Sequence, residues 1–169
     1  MKRLIQTALC ALALLGLSGC EDDDMKLITF HIANARGVLA GVSRTSETMP
    51  TSGFSVVSKN EHFMYSGDLV GVQLGQVRLP DNSREIGFIF QCDNRGTTRL
   101  FQATAANMGA FIVVKYNGET IGLRQIDMAI SDGILFAVSE CPPDTDLHKK
   151  VEEMNNDIRS VNEFKMTLK

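Results

Sequence analysis

The sequence has no tryptophan, only three histidines, and less positive than negative charge. It contains 17 lysines and arginines against 20 aspartates and glutamates, a formal net charge of −3. Binding to nucleic acid calls for clustered positive charge, so this balance argues against a nucleic-acid partner. A chain of 169 residues is nevertheless long enough for one domain with a hydrophobic core.

Patterns that carry catalysis or metal binding are also missing. The histidines, His31, His62 and His148, form no His-x-x-x-His pair, and no Cys-x-x-Cys occurs, so we expect no metal site. There is no Gly-x-Ser-x-Gly nucleophile elbow. A dispersed catalytic set stays open as an alternative, because triad members need not be neighbours in sequence. The expectation is a protein that is not an enzyme and binds no cofactor.

The first nineteen residues are organised like a secretory signal peptide. Lys2 and Arg3 precede an apolar stretch from 4 to 17, which is shorter than the about 20 residues that cross a bilayer. Residues 17–20, Leu-Ser-Gly-Cys, resemble the lipobox of bacterial lipoproteins, in which the cysteine is lipidated and becomes the first residue of the mature chain. The resemblance implies a lipid on Cys20. The alternative is an ordinary signal peptide with an incidental cysteine.

An acidic tether, residues 20–25, follows the signal and is expected to hold the domain off the membrane. Loss of Lys2 and Arg3 with the signal leaves 15 basic against 20 acidic residues, so the mature charge is near −5. The lipid would attach the chain to the cell envelope, facing the periplasm. Aspartate directly after the cysteine resembles an inner-membrane retention signal. Glu21 stands there instead, followed by Asp22, which favours the outer membrane slightly over the inner membrane.

Two cysteines remain once Cys10 leaves with the signal and Cys20 is lipidated. Cys92 and Cys141 form an even pair in an oxidising compartment, which predicts a disulfide. The bridge would close a loop of about 50 residues and contribute roughly 3–4 kcal/mol. Two free buried thiols are the alternative, since sequence does not show the geometry.

Short apolar and β-branched runs predict a protein rich in strands. Residues 59–61 predict a turn of a hairpin between two such runs, and Asn117-Gly118 predicts a type I′ turn, since both of its positions need positive φ. Residues 34–53 are rich in Gly, Ser and Thr and predict a loop. The predicted strands are 26–32, 54–58, 62–65, 85–91, 110–116, 119–123 and 134–138, with a short one near 38–42, and 68–77 is either a strand or a broken helical turn.

Two helices are expected. Asp93 is a natural N-cap for a helix over about 95–108, and Gly109 suits the left-handed position after its end. The last helix starts near Asp144 or Thr145 and carries an apolar stripe. The buried stripe of the first helix is Leu100, Phe101 and Thr104; that of the second is Leu147, Val151, Met154, Ile158 and Val161, with Lys149, Glu152, Asn155 and Arg159 turned outward.

Strands outnumber helices, and the hairpins imply antiparallel pairing. The predicted fold class is therefore α+β, a mostly antiparallel sheet with two main helices packed on one face. The domains are a signal peptide at 1–19, the tether at 20–25 and a single domain at 26–169.

The order of motifs between 83 and 140 resembles the periplasmic head of the first large soluble domain of SecD, part of the SecDF protein-export complex. The motifs that carry the resemblance are Phe88-Ile89-Phe90, Ala106-Asn107-Met108-Gly109, Tyr116-Asn117-Gly118-Glu119 and the run from Ile126 to Gly133. They determine fold more than function. SecD has transmembrane helices and this chain shows none after residue 19, so the resemblance implies a domain that contacts polypeptides and not a pump. The usual proline after the hairpin is also absent.

The anchor and the resemblance together predict a membrane-anchored periplasmic lipoprotein that binds a protein or peptide, linked to protein export or envelope biogenesis. The alternative is a structural lipoprotein that docks on an envelope complex. An exposed edge strand would suit an extended peptide, but the sequence does not identify the binding residues.

Overall fold

The computed structural model describes residues 26–35, 43–78, 82 and 84–168. The signal peptide, Cys20, the tether and the strand expected near 38–42 lie outside these residues. The described part contains β1 (Ile28–Asn34), β2 (Arg44–Thr48), β3 (Ser55–Lys59), β4 (Met64–Tyr65), a 3-10 turn (Ser66–Asp68), β5 (Leu69–Arg78), β6 (Arg84–Cys92), α1 (Asn94–Ala106), β7 (Phe111–Tyr116), β8 (Glu119–Gln125), β9 (Ile134–Ser139) and α2 (Leu147–Thr167).

The strands form one antiparallel sheet in the order β2-β3-β1-β7-β8-β9-β6-β5, with β4 also paired to β1. Alternate residues of the central strands, such as Phe30 and Phe90, are fully buried on one face. Leu100 of α1 and Met154 of α2 join them in the main core. The predicted fold class, an α+β fold with both helices on one face, is confirmed.

Most turn and cap predictions are confirmed. Asp93 caps α1 by accepting a 2.6 Å hydrogen bond from the Gly96 amide. Asn117 has φ of 52° and the adjacent glycine has φ of 81°, as a type I′ turn requires. Gly109 has φ of 79° just after α1. Phe101, predicted to be buried in α1, is exposed instead.

The predicted hairpin turn at 59–61 is wrong. β3 and β4 do not pair with each other; both pair with the same edge of β1, Ser58 opposite Ala33 and Met64 opposite Phe30. They are two pieces of one interrupted strand. The polar residues between them end the pairing of β3 with β1 and begin the pairing of β4 with β1. In the sequence, such an interruption looks the same as a turn that reverses the chain.

The β2–β3 hairpin folds across the second face of the sheet. Glu47 of β2 contacts Lys115 of β7 and Thr120 of β8, although a flat sheet would separate β2 from β8 by about 19 Å. Met49 and Val56 of the hairpin form a second small core with Val113. β2 lies inside the segment predicted to be a loop, since its Arg-Thr-Ser-Glu-Thr sequence carries no apolar signal.

The tip of this hairpin is fixed by a buried carboxylate. Glu140, which follows β9, accepts hydrogen bonds of 3.1 and 3.0 Å from the amides of Thr51 and Ser52, and one of 2.7 Å from the Ser52 hydroxyl. Thr51 also donates to the carbonyl of Cys141 at 2.9 Å. A charged acceptor with several donors forms strong hydrogen bonds, so the hairpin tip is tied to the far side of the sheet.

The predicted disulfide is not formed: Cys92 and Cys141 are free and buried. The antiparallel pairing of β6 with β9 explains why. Cys92 lies beside Gly133, before β9 begins, and Cys141 lies beyond the end of β9. Eight extended residues between these positions span roughly 26 Å, whereas bridged cysteines need Cα atoms within about 7 Å.

The Ser66–Asp68 turn joins four parts of the fold. The hydroxyl of Ser66 accepts a 2.7 Å hydrogen bond from the first amide of β1, and the carbonyl of Gly67 accepts from Lys165 of α2. Asp68 is fully buried and receives Arg99 of α1 at 2.7 Å, with Arg95 at 3.7 Å. Its carbonyl also accepts from the amide of Asp93 at 2.9 Å. One three-residue turn therefore holds β1, both helices and the start of β5.

The buried ion pair predicts a large effect of a small change at Asp68. Asp68→Asn keeps the shape but removes the charge that Arg99 faces, and hydrogen bonds to charged groups contribute about 1.5–3 kcal/mol. We expect a loss of about 2–3 kcal/mol in the free energy of unfolding, measured by urea denaturation. Asp127→Asn is the matched control, because Asp127 pairs with Arg124 at 2.7 Å on the surface, where pairs contribute about 0.2–1 kcal/mol. Equal losses would contradict the role given to the turn.

Candidate functional site

Half of the second face of the sheet is left open within the described residues. The β2–β3 hairpin covers β7 and β8, while the outward residues of β6 and β9 remain uncovered. We define the open face as Ile89, Ile134, Phe136 and Val138. They alternate with the buried core residues of the same strands, and Ile134 is 50% exposed. The other three are partly buried, so the open face is a small apolar surface, and the strand register places Gln73 and Gln91 on the same side of the sheet beside it.

Two glycines make the open face flat. A Cβ on Gly87 would lie 2.1 Å from the carbonyl oxygen of Ala137 and 2.9 Å from the ring of Phe136. A Cβ on Gly75 would lie 2.4 Å from the end of Ile89. A side chain at either position would displace the apolar side chains. Ile89 and Phe136 can therefore pack flat against the sheet because Gly75 and Gly87 have no side chain there.

A shallow cavity of about 260 Å³ continues the open face where β8 and β9 diverge. Ile134 and Phe136 form its apolar wall, and Met128 stands exposed at its border. Its lining also includes polar residues, among them Arg124, Ser131 and Asp132. An apolar centre within a polar rim is the usual anatomy of a surface that binds a protein.

Strand β5 borders this surface and is an edge of the sheet, paired only with β6 among the described residues. Its first half is already occupied. The side chain of Asn155 accepts from the amide of Val72 at 3.0 Å and donates to the Val72 carbonyl at 2.8 Å, as a neighbouring strand would. Asn155 was predicted to face outward into solvent; this prediction is wrong, because the edge backbone offers the amide two partners.

The second half of β5 has no strand on its outer side among the residues that the structure describes. Since the amide and carbonyl of Val72 point away from β6, and the register continues without a shift from Gly71 to Arg78, those of Leu74 and Gln76 point the same way. Edge strands with unpaired backbone groups accept a further strand. The open face and the Leu74–Arg78 edge together form the candidate site.

The described methionines divide into two groups. Met49, Met64 and Met154 are buried in the two cores, whereas Met108, Met128 and Met166 are exposed.

A polar cluster beneath the hairpin holds the fold. Burial raises the pKa of Glu47, but hydrogen bonds from Lys115, at 2.6 Å, and from Ser58 outweigh it and hold the pKa below its usual range. Thr120 donates to the other carboxylate oxygen at 3.0 Å. Both oxygens are engaged in holding the hairpin, so the group is poorly arranged to act on a substrate.

The buried thiols are also poor nucleophiles. Burial, together with nearby carboxylates, raises the pKa of Cys92 to about 12, and burial raises the pKa of Cys141. The thiolate is the reactive form of cysteine, so both side chains are structural at neutral pH. Within the described residues no cluster of three His, Cys, Asp or Glu side chains could hold a metal ion. No described helix is long and apolar enough to cross a membrane.

Sequence reasoning did not locate the candidate site. Ile89 and Phe136 belong to predicted strands, and the sequence shows that they alternate with apolar residues of the core. Which face of the sheet stays uncovered depends on where the β2–β3 hairpin folds, and the sequence does not show this. Cys20, the predicted lipidation site, lies outside the described residues.

Comparison with known proteins shows similarity in fold. No family model matches the sequence, and no curated protein matches it. A structure of SecDF, a membrane component that enhances protein export, superimposes with a TM-score of 0.50 at 13% identity, over 85% of this chain and 71% of that one. A crystal structure of SecDF in a super-membrane-facing form gives a TM-score of 0.51 at 13% identity, over 80% of this chain but only 19% of that one. The fold is SecD-like, and this likeness shows the fold alone.

The environment of His31 predicts a dependence of stability on pH. Burial lowers the pKa of His31, and nearby Lys115 and His62 lower it further, against opposing effects of the Lys59 carbonyl and Glu47. The Lys59 carbonyl, 2.9 Å from Nδ1, fixes the neutral tautomer with the proton on Nδ1. Since the folded pKa lies below the unfolded value of about 6.5, the unfolded state binds more protons and stability falls on acidification.

We therefore expect the free energy of unfolding to decrease from pH 7.5 to 5.5, and His31→Gln to reduce that decrease. The measurement is urea denaturation across this range. His148→Gln, at an exposed position in the first turn of α2, is the control. If the dependence of the free energy of unfolding on pH changes equally in both variants, His31 is not its cause.

Proposed function

We propose that this protein is a lipid-anchored protein of the cell envelope that binds an extended segment of another polypeptide and is not an enzyme. The observation that carries the proposal is that the open face lies beside the Leu74–Arg78 edge, which no described strand pairs on its outer side. An added strand would bond to the edge through its main chain. Its side chains would then extend the apolar surface of Ile89 and Phe136.

The SecD-like fold supports this reading of the site. One of the similar structures is described as a membrane component that enhances protein export, which is an activity on polypeptides. We therefore propose a role in protein export or envelope biogenesis. The lipid on Cys20 would keep the domain at a membrane, facing the periplasm. The outer membrane is slightly favoured over the inner membrane, because Glu21 and not aspartate follows the cysteine.

A second candidate is an assembly lipoprotein that docks on a folded envelope complex. The flatness of the open face, produced by Gly75 and Gly87, favours it, because a flat apolar surface also suits a folded partner. The two candidates differ at the edge of β5: only an extended segment uses its backbone groups.

The anchor predicts the mass of the mature chain. Protein purified from membranes should begin at Cys20 and carry acyl chains on it, as mass spectrometry of the N-terminal peptide would show. Cys20→Ser should release the protein from membranes, because one or more buried acyl chains are then lost. Cys10→Ser should leave the mature protein unchanged. Cleavage elsewhere, or an unmodified Cys20, would contradict the anchor.

The binding site predicts how variants bind an unfolded chain. The probe is a reduced and alkylated small secreted protein, labelled and mixed with vesicles carrying the full-length lipidated protein. Gln76→Pro removes one outward amide and should weaken co-flotation of the probe at least fivefold, and Phe136→Asp should do the same by charging the open face.

Gln76→Ala is the matched control, because it keeps the amide and should bind within twofold of the native protein. Thermal unfolding would show that each variant is folded. Equal binding by Gln76→Pro, Gln76→Ala and the native protein would exclude the edge and favour the docking of a folded partner. Equal binding by Phe136→Asp as well would exclude the whole site.

A further inference from the structure

A second group of exposed apolar side chains surrounds the last turns of α2, away from the candidate site. We name Leu27, Val70, Phe164, Met166 and Leu168 the anchor-side patch. Met166 is 68% and Leu168 is 73% exposed, and the other three are exposed as well. The patch belongs neither to the cores nor to the open face.

Hydrogen bonds bring the start of β1, the start of β5 and the last turns of α2 together around the Ser66–Asp68 turn. Asn162 donates to the carbonyl of Leu69 at 3.0 Å, beside Val70, and Lys165 donates to Gly67. The same turn receives the first amide of β1 through the hydroxyl of Ser66, one residue after Leu27. The point where the tether enters the domain therefore lies beside the C-terminal end of α2.

The patch has two sides along the helix. Val70 and Met166 line a cavity of about 390 Å³ on the side of β5. Phe164 lies seven residues after Asp157, and Leu168 lies four residues after Phe164, so both lie on the same flank of α2 as Asp157. Asp157 accepts a hydrogen bond from the hydroxyl of Tyr116, at the end of β7 beside the entry of the tether.

The length of the tether determines what this end can meet. Six residue steps separate Cys20 from Lys26, and a fully extended chain covers at most about 22 Å in that length. A domain of about 140 residues has a diameter of roughly 35–40 Å. Lys26 must therefore stay within about 22 Å of the anchored cysteine, a distance smaller than the diameter of the domain.

We propose that the anchor-side patch rests on the lipid bilayer, so that the domain has a fixed orientation at the membrane. This inference rests on the proposed lipid at Cys20. Transfer of apolar side chains out of water is favourable by about 25 cal/mol for each Å² buried. Lys26 is the neighbour of Leu27 in sequence, and the ammonium group of Lys165 donates to the Gly67 carbonyl. The acidic tether is repelled by anionic lipids, so the apolar contact of the patch with the bilayer determines the orientation of the domain.

The absence of tryptophan from the native chain allows a direct test. Leu168→Trp and Phe164→Trp each place a single fluorophore in the patch, and Met108→Trp places one at the far end of α1, which runs away from the Ser66–Asp68 turn for about 20 Å. Each full-length lipidated protein is reconstituted in phosphatidylcholine vesicles with brominated acyl chains. Bromine quenches tryptophan that lies in the acyl region.

We expect quenching in the patch to be at least threefold stronger than at position 108, with emission shifted to shorter wavelength. Because two positions in the patch are tested, one of them still gives a result if the other variant does not fold. Equal quenching at all three positions, in protein whose lipid is confirmed by mass, would overturn the orientation and leave the anchor in place. A mature chain without lipid would overturn both the proposed anchor and this inference.

Discussion

The fold depends on a buried negative charge. Asp68 lies in the Ser66–Asp68 turn with no exposed surface, and a carboxylate in that position is tolerated only with cations and donors around it. Arg99 supplies the close cation, and this draws α1 against the turn. Gly96 allows the approach, because a Cβ there would lie 2.2 Å from the Asp68 carbonyl oxygen. The position of α1, of the start of β5 and of the last turns of α2 follows from this one site.

Carboxylates also divide the second face of the sheet. Glu140 ties the hairpin tip and Glu47 ties its middle, so the hairpin covers β7 and β8 and leaves β6 and β9 open. The covered half contributes a second core through Met49 and Val113. The open half is apolar without being part of any core. The candidate site is thus a consequence of how far the hairpin reaches.

Local signals in the sequence predicted local structure well. The Asp93 cap, the positive φ of Asn117 and the stripe of α2 all follow from chemistry within a few residues. The wrong predictions fall where contacts with residues distant in sequence determine the structure. β2 has no apolar signal and exists because it pairs with β3 on the folded sheet, and Asn155 faces the edge of β5 because two backbone groups there lack partners. The separation of Cys92 from Cys141 depends on strand register, which spacing along the chain does not reveal.

Helix α2 occupies the backbone groups in the first half of β5 and leaves the second half of the edge for an added strand. Asn155 occupies the amide and carbonyl of Val72, and Asn162 occupies the carbonyl of Leu69. Within the described part of the chain, an added strand would therefore pair with the edge from Leu74 onward. β5 begins at the Ser66–Asp68 turn and runs for ten residues, or roughly 33 Å. The available edge is therefore the part of β5 farthest from the entry of the tether. An anchored domain with its patch on the bilayer would present this edge, and the open face beside it, to polypeptides away from the membrane surface.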